Sequence, residues 1–468
     1  MTRLAITNYQ LQISNYKFCP VLPWCKHDAS RVKLQTVDRK TFFEGTMKSA
    51  VRFCALSIMV MLLAGSCWAA DKRQYSKWAK EIKQALFVPD PLPRLALQSF
   101  GTFVAADGVI GERVTYTTAY GMRVPAILYR PQTHHNKLPG LVVVNGHAGD
   151  KYSWYAVYAG ILYARLGAAV LTYDPIGEGE RNIDRKSATR AHDQLVEPAE
   201  MGRRLGGLMI TDEMQAVSYL AQRDDVDARR IGVMGYSMGS FVALLTGAAD
   251  PRTHAIVLSG GGTLDGPGGY WDSGKQMCQG IPYKSLAFLG DRPAAVYAMN
   301  TAHARLLVMN GLADTTVDIP HHGPDFFRDL QARTRALRGA KADTFETLFI
   351  PDVGHRPSFV TRAAALWLNR QLHFVTTTQQ QIEAMPETHI AEWVQATHAG
   401  VDLRFFDEPR EAGVRALGAG FPAPSRAALT VVPIEEWEAH RDDFIYEAWV
   451  KRAQAQVGRK AGAPPSAR

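Results

Sequence analysis

From Leu141 onward the chain alternates short, wholly apolar runs with longer segments of helical period. The apolar runs are Leu141–Val144, Ala168–Tyr173, Ile231–Met234, Ala255–Ser259, Leu306–Met309 and Thr347–Ile350. Each has strand length and is apolar on both faces, as strands buried between two layers of helices are. Strand-then-helix repetition predicts a doubly wound, mostly parallel sheet. Upstream, Val114–Thr118 alternates, Tyr120-Gly121 turns and Val124–Tyr129 returns, so the sheet is expected to open with a hairpin. Ahead of it lie a short polar helix, Asp71–Leu86, and a proline-rich stretch, Val88–Pro93.

Past residue 375 the alternation stops. Thr376–Gln381 reads as a polar boundary, and Glu392–Thr397 and Ile434–Ala455 as helices, the second carrying Trp437, Phe444 and Trp449 on a packed face. The pattern therefore gives a lead-in over 70–94, a doubly wound domain over 95–375 and an α-rich C-terminal extension over 376–468. The extension should dock on that domain or on a second subunit. Its last ten residues, rich in Pro, Ala and Gly, should be disordered. Two long segments, Tyr173–Arg203 and Gly260–Asn300 with Tyr270, Trp271 and Tyr283, are expected as binding walls or lids. Glu178, Glu180 and Arg181 could contact a polar substrate or form structural ion pairs. Tyr152 and Tyr155 should pack.

Composition changes the picture mainly at the N-terminus. With 468 residues, 46% hydrophobic and 21% charged, the chain has ordinary globular composition. Lys48 and Arg52 flank a 13-residue apolar run, Phe53–Gly65, followed by Cys67-Trp-Ala-Ala70 with small residues at its end. Those are the parts of a secretory signal peptide over 47–69. The run is well short of the roughly 20 residues that span a bilayer. Translation is expected to start at Met47, with 1–46 a non-native upstream extension and the product exported, periplasmic or secreted. Cys67 supports a lesser alternative, lipid anchoring. Residues 1–69 hold nine Lys/Arg against three Asp/Glu, so six of the eight net positive charges fall there and two remain. That removes the case for nucleic-acid binding, since no basic stripe with interleaved aromatics exists. Four of the five cysteines also precede residue 70, leaving Cys278 and no disulfide within the mature chain. No metal-ligand spacing is evident and no cofactor is expected. No feature fixes an oligomeric state.

Chemistry concentrates where strands end. Ile231–Met234 runs into Gly-Tyr-Ser-Met-Gly239 and then an apolar helix, Phe241–Ala248. A strand turning that sharply into a helix strains its central residue and exposes the side chain, which makes Ser237 the candidate nucleophile. Gly235 and Gly239 are needed because a side chain at either would clash as strand meets helix. A serine hydroxyl also needs a base. His355 follows the strand Thr347–Ile350, and Asp314 follows Leu306–Met309, so base and orienting carboxylate arrive in the order Ser, Asp, His. Asp318 and Asp352 are poorer carboxylates by position, and His303, His321 and His322 should be solvated. The glycine-rich turn Asn145–Asp150 after Leu141–Val144 should supply one oxyanion amide, from His147 or else Ala148, and Met238 the other. The His147 ring is a competing base, but its place in the turn favours the backbone role.

These elements resemble the α/β-hydrolase superfamily, nearest its acetyl-xylan-esterase-like and dienelactone-hydrolase-like group. The resemblance rests on Asn145-Gly-His-Ala-Gly-Asp150, Tyr173-Asp-Pro-Ile-Gly-Glu-Gly-Glu-Arg181, Gly235-Tyr-Ser-Met-Gly239, Gly311-Leu-Ala-Asp314 and Gly354-His355, and covers Leu95–Phe374. Asn145 departs from the histidine common before this glycine. The resemblance implies hydrolysis of a small-molecule or carbohydrate ester through an acyl-enzyme, without metal or organic cofactor. Two alternatives stand beside it. One is a serine peptidase of the prolyl-oligopeptidase type, though the stretch before the first expected strand is too short for a propeller. The other is a hydrolase-fold binding protein without catalysis.

Overall fold

The computed structural model describes residues 72–264, 277–340, 342–397 and 414–458. The proposed upstream extension and signal peptide, most of the glycine-rich stretch with Tyr270 and Trp271, and the last ten residues lie outside these.

A nine-stranded sheet forms the frame. Its strands are β1 (Gln98–Ala106), β2 (Val109–Thr117), β3 (Arg123–Pro131), β4 (Leu138–Val144), β5 (Ala169–Tyr173), β6 (Val226–Tyr236), β7 (Ala255–Ser259), β8 (Arg305–Gly311) and β9 (Glu346–Ile350). They lie in the order β1-β2-β3-β5-β4-β6-β7-β8-β9. Pairing from β1 to β5 is antiparallel, and from β5 to β9 parallel. Because β5 and β6 lie on either side of β4, the chain reverses its winding direction there, and ligands of such sheets bind beyond the carboxyl ends at that point.

Two-sided burial explains the wholly apolar runs. In β4, Val142 and Val144 enter one core while Leu141 and Val143 enter the other. The first core lies under the helices Glu200–Ala221, Met238–Ala249, Arg292–Thr301 and Ile319–Arg338; the second lies under Trp154–Leu166 and Arg362–Leu372. The expected doubly wound, mostly parallel α/β architecture is what forms. β1 went unforeseen: Gly101 breaks its alternation at a register shift, and as an edge strand it leaves Val104 75% exposed.

The C-terminal region is α-rich, with one small addition. Glu387–His389 (β10) and Arg415–Leu417 (β11) pair as a separate two-stranded ribbon. The region packs on the sheet domain of its own chain. Ile390, Trp393, Val432 and Trp437 join the second core, and Tyr446, Trp449 and Ala453 join the first. The expected helix Ile434–Ala455 is therefore two helices, Ile434–Ala439 and Tyr446–Gln454, separated by a 3-10 turn at Arg441–Asp443. Trp437 and Trp449 serve opposite faces of the sheet, which no single straight helix could do.

The supposed polar boundary hides a helix, Gln379–Ala384, capped reciprocally by Thr378 and Gln381. Part of the expected Gly260–Asn300 wall is likewise helical: Arg292–Thr301 is capped by Asp291, carries Pro293 in its first turn and is buried throughout. No helix among the described residues is long and apolar enough to cross a membrane.

Candidate active site

Ser237 stands at the carboxyl end of β6 with φ 51° and ψ −115°, a conformation disfavoured for a residue with a side chain. The neighbouring glycines allow it. A Cβ on Gly235 would lie 2.4 Å from the Gly239 carbonyl oxygen, and one on Gly239 2.1 Å from that of Val144. The Ser237 N–H donates to the Ser259 carbonyl at 2.9 Å, pinning the turn to the end of β7.

Asp314 and His355 arrive from the next two strand ends. Gly311 lets their loops touch, since a Cβ there would meet the Val353 carbonyl oxygen at 1.9 Å. The Ala313 N–H donates to that same carbonyl at 3.0 Å. The Asp314 side chain is fully buried; its Oδ1 accepts the Thr316 and Val317 N–H groups, which leaves Oδ2 facing His355 Nδ1 at 2.9 Å. His355 Nε2 lies 2.8 Å from Ser237 Oγ. The Tyr236 hydroxyl donates to the His355 carbonyl at 2.8 Å and steadies the loop. The three side chains named from the sequence are thus brought into one hydrogen-bonded line.

The competing residues fall elsewhere. Asp318 precedes the helix Ile319–Arg338, with its carboxylate paired to exposed His321, and Asp352 is exposed. His322 is exposed too, but His303 is half-buried, its Nδ1 donating to the Met299 carbonyl, rather than solvated as expected.

The turn after β4 is held on all sides. Asn145 Nδ2 donates to the Tyr173 carbonyl at 2.8 Å, so asparagine ties this loop to the end of β5. The Gly146 N–H donates to the Tyr155 hydroxyl at 3.1 Å, which gives that packed tyrosine a supporting role. Among the described residues, neither the His147 nor the Met238 N–H donates to another group. The His147 ring is held by partners other than the serine. Its Nε2 lies 3.1 Å from both Asp193 Oδ1 and Cys278 Sγ, and its ring stacks on His192. Burial pushes His192 down to about 4, so it is neutral near pH 7. Burial and the Asp193 carboxylate push the Cys278 thiol up.

Glu178, Glu180 and Arg181 are structural. Lys151 Nζ, fully buried, sits 2.5 Å from Asp174 Oδ2 and 2.7 Å from Glu180 Oε2. Arg181 pairs with Asp212 at 2.5 Å, and Glu178 accepts the Thr189 and Arg190 N–H groups. Glu180 also accepts the N–H groups of Val431 and Val432, both at 2.8 Å, from the C-terminal region. Lys151 was missed because one lysine after a turn reads as a solvated charge; the acidic run Asp174–Glu180 was the available hint.

A nine-stranded sheet with this winding, a strained serine at the β6 elbow and partners after β8 and β9 is the α/β-hydrolase arrangement, and the chain belongs to that superfamily. The prolyl oligopeptidase family model matches residues 199–381, spanning Ser237, Asp314 and His355, and the acetyl xylan esterase model matches residues 104–259.

The Mycobacterium tuberculosis protein Rv2307c is 27% identical over 259 residues, 55% of this chain and 77% of that one. The Bacillus subtilis protein YtaP is 28% identical over 146 residues, 29% of this chain; the match spans about half of that protein's length, 47%. Among solved structures, the methylesterase BT1017 aligns with a TM-score of 0.48 at 18% identity, covering 84% of this chain and 80% of its own. An acetyl xylan esterase from Paenibacillus sp. R4 aligns at 0.45 and 18%, covering 65% and 96%.

Proposed function

We propose that the protein is an exported serine hydrolase that cleaves carboxylic esters through an acyl-enzyme intermediate. The observation that carries this reading is the line Asp314 Oδ2, His355, Ser237 Oγ, with its 2.9 and 2.8 Å links. In this reading His355 Nε2 takes the Ser237 proton as Oγ attacks the ester carbonyl, then delivers it to the departing alcohol. Water attacks the acyl-enzyme by the same base. Asp314 fixes the tautomer that leaves Nε2 unprotonated and stabilises the imidazolium. The amides of His147 and Met238 face the oxyanion, each contributing on the order of 3 kcal/mol to the transition state. The substrate class is a short-chain acyl ester of a small molecule or a carbohydrate. Export rests on the signal-peptide pattern of residues 47–69. A start near residue 70 in the secreted protein is what N-terminal sequencing should find.

A peptidase reading is kept alive by the family match that spans all three residues. One assay set separates them: fluorophosphonate labelling, then p-nitrophenyl acetate and butyrate beside an aminoacyl amide. Labelling that disappears in Ser237→Ala, with ester turnover exceeding amide turnover, is the expected result. His355→Ala should lower acylation by about six orders of magnitude. Wild-type protein that takes no label would make this a hydrolase fold used for binding, and preference for the amide would make it a peptidase.

A further inference from the structure

Three segments far apart in the chain bring four metal-ligating side chains together beside the turn after β4. They are His147 from that turn, His192 and Asp193 from the 3-10 turn Ala191–Asp193, and Cys278. One donor atom from each lies within 4.8 Å of all the others. We propose that these four residues form a binding site for one divalent transition-metal ion of the zinc type, separate from the Ser237, His355 and Asp314 line.

The spacing suits a tetrahedral ion. Bond lengths of about 2.0–2.1 Å to nitrogen and oxygen and about 2.3 Å to sulfur place donors roughly 3.2–3.8 Å apart. Here His147 Nε2, Asp193 Oδ1 and Cys278 Sγ are mutually 3.1 Å apart, and His192 Nε2 is 3.8 Å from Asp193 Oδ1. A slight outward movement of three donors would admit the ion.

The second, independent observation is His192. Its Nδ1–H donates to the Ile176 carbonyl at 3.1 Å, so the lone pair is on Nε2. That Nε2 is buried with no hydrogen-bond partner, although the residue is only 1% exposed. A buried nitrogen left unsatisfied is costly. A second-sphere carbonyl holding the far nitrogen, with the near one presented to a cluster of donors, is how metal-bound histidines are oriented.

Donor chemistry narrows the ion. Two imidazoles, a thiolate and a carboxylate suit zinc, whereas calcium and magnesium prefer all-oxygen sites. Binding would release the Cys278 thiol proton, and the thiolate and Asp193 carboxylate would then balance the 2+ charge. His147 and Asp193, 19% and 20% exposed, leave a route from solvent. The ion would cross-link the turn bearing the His147 amide to the turn bearing His192 and Asp193 and to the segment bearing Cys278.

Cobalt(II) titrated into full-length, chelator-stripped protein is the test. One equivalent should bind, giving a thiolate-to-cobalt charge-transfer band and visible bands of tetrahedral intensity, both removed by zinc. Cys278→Ala should lose the charge-transfer band, and His192→Ala should weaken zinc binding by at least about a hundredfold. If Cys278→Ala does not fold, Cys278→Ser serves in its place. Zinc should also raise the Tm of the wild type.

Ser237→Ala should abolish turnover and leave the cobalt spectrum unchanged, so failure of the catalytic reading is distinct from failure of this one. Absence of the thiolate band in the wild type, its persistence without Cys278, or unchanged zinc affinity in His192→Ala would each reduce the cluster to a set of hydrogen bonds.

Discussion

Asp314 has a divided job that its two oxygens make explicit. Oδ1 takes the Thr316 and Val317 N–H groups and Oδ2 takes the His355 Nδ1–H, so the fully buried carboxylate accepts at both ends. An asparagine side chain in its place could accept at only one of them. If its oxygen stays with the two amides, the NH2 faces His355 Nδ1 and forces the proton onto Nε2, the nitrogen that must receive from Ser237. Asp314→Asn is therefore expected to lower kcat by about 10⁴-fold with KM little changed. Steady-state ester hydrolysis beside a thermal melt checks this. A kcat within tenfold of wild type in a folded variant would remove Asp314 from its proposed role.

At the scale of elements, the turn after β4 and the C-terminal region share one anchor. Glu180 Oε1 and Oε2 hold the Val432 and Val431 amides, Trp437 Nε1 donates to the Glu180 carbonyl at 2.8 Å, and Lys151 beneath the turn pairs with the same carboxylate. Glu180→Ala strips two backbone donors of their acceptor, each left unmet at about 1–3 kcal/mol, and leaves Lys151 with Asp174 alone. Hydrogen exchange should rise sharply in peptides covering Val431–Trp437 while peptides of β6 to β8 keep their protection. Unchanged exchange at Val431 would mean that apolar packing alone holds the region.

The strands of that sheet were legible because burial on two faces writes itself as continuous apolar runs, and the serine turn because steric need writes glycines at 235 and 239. Asp314 and His355 were legible as residues just past strand ends. The charged anchor was not. Lys151, Glu180 and Arg181 look like solvated polarity until folding buries them against one another. Nor was the His147, His192, Asp193 and Cys278 cluster, whose members are spread over more than a hundred positions with no motif linking them. The break before Trp449 was hidden because Trp437 and Phe444, seven residues apart, suit one helix face, whereas Trp437 and Trp449 serve two cores.

Across the whole molecule, buried acids make stability depend on pH in a direction opposite to the common one. Glu213, on the helix Glu200–Ala221, is 1% exposed, and its Oε2 has no hydrogen-bond partner among the described residues. Burial, reinforced by the Asp250 carboxylate, pushes it from 4.5 up to about 8. The folded protein therefore holds a proton that the unfolded chain releases between these values. Its stabilising contribution is complete below pH 4.5 and is lost as pH rises through about 8, at roughly 1.4 kcal/mol per pH unit for one proton. Glutamine matches the shape of the neutral acid and has no proton to lose. Glu213→Gln should accordingly melt close to wild type near pH 5 and several degrees higher near pH 9. Thermal melts of the two proteins at half-unit pH steps read the difference directly. Curves that run parallel from pH 5 to 9 would mean that Glu213 is already ionised and compensated inside the fold, and the origin of any alkaline loss of stability would have to be sought at another buried acid.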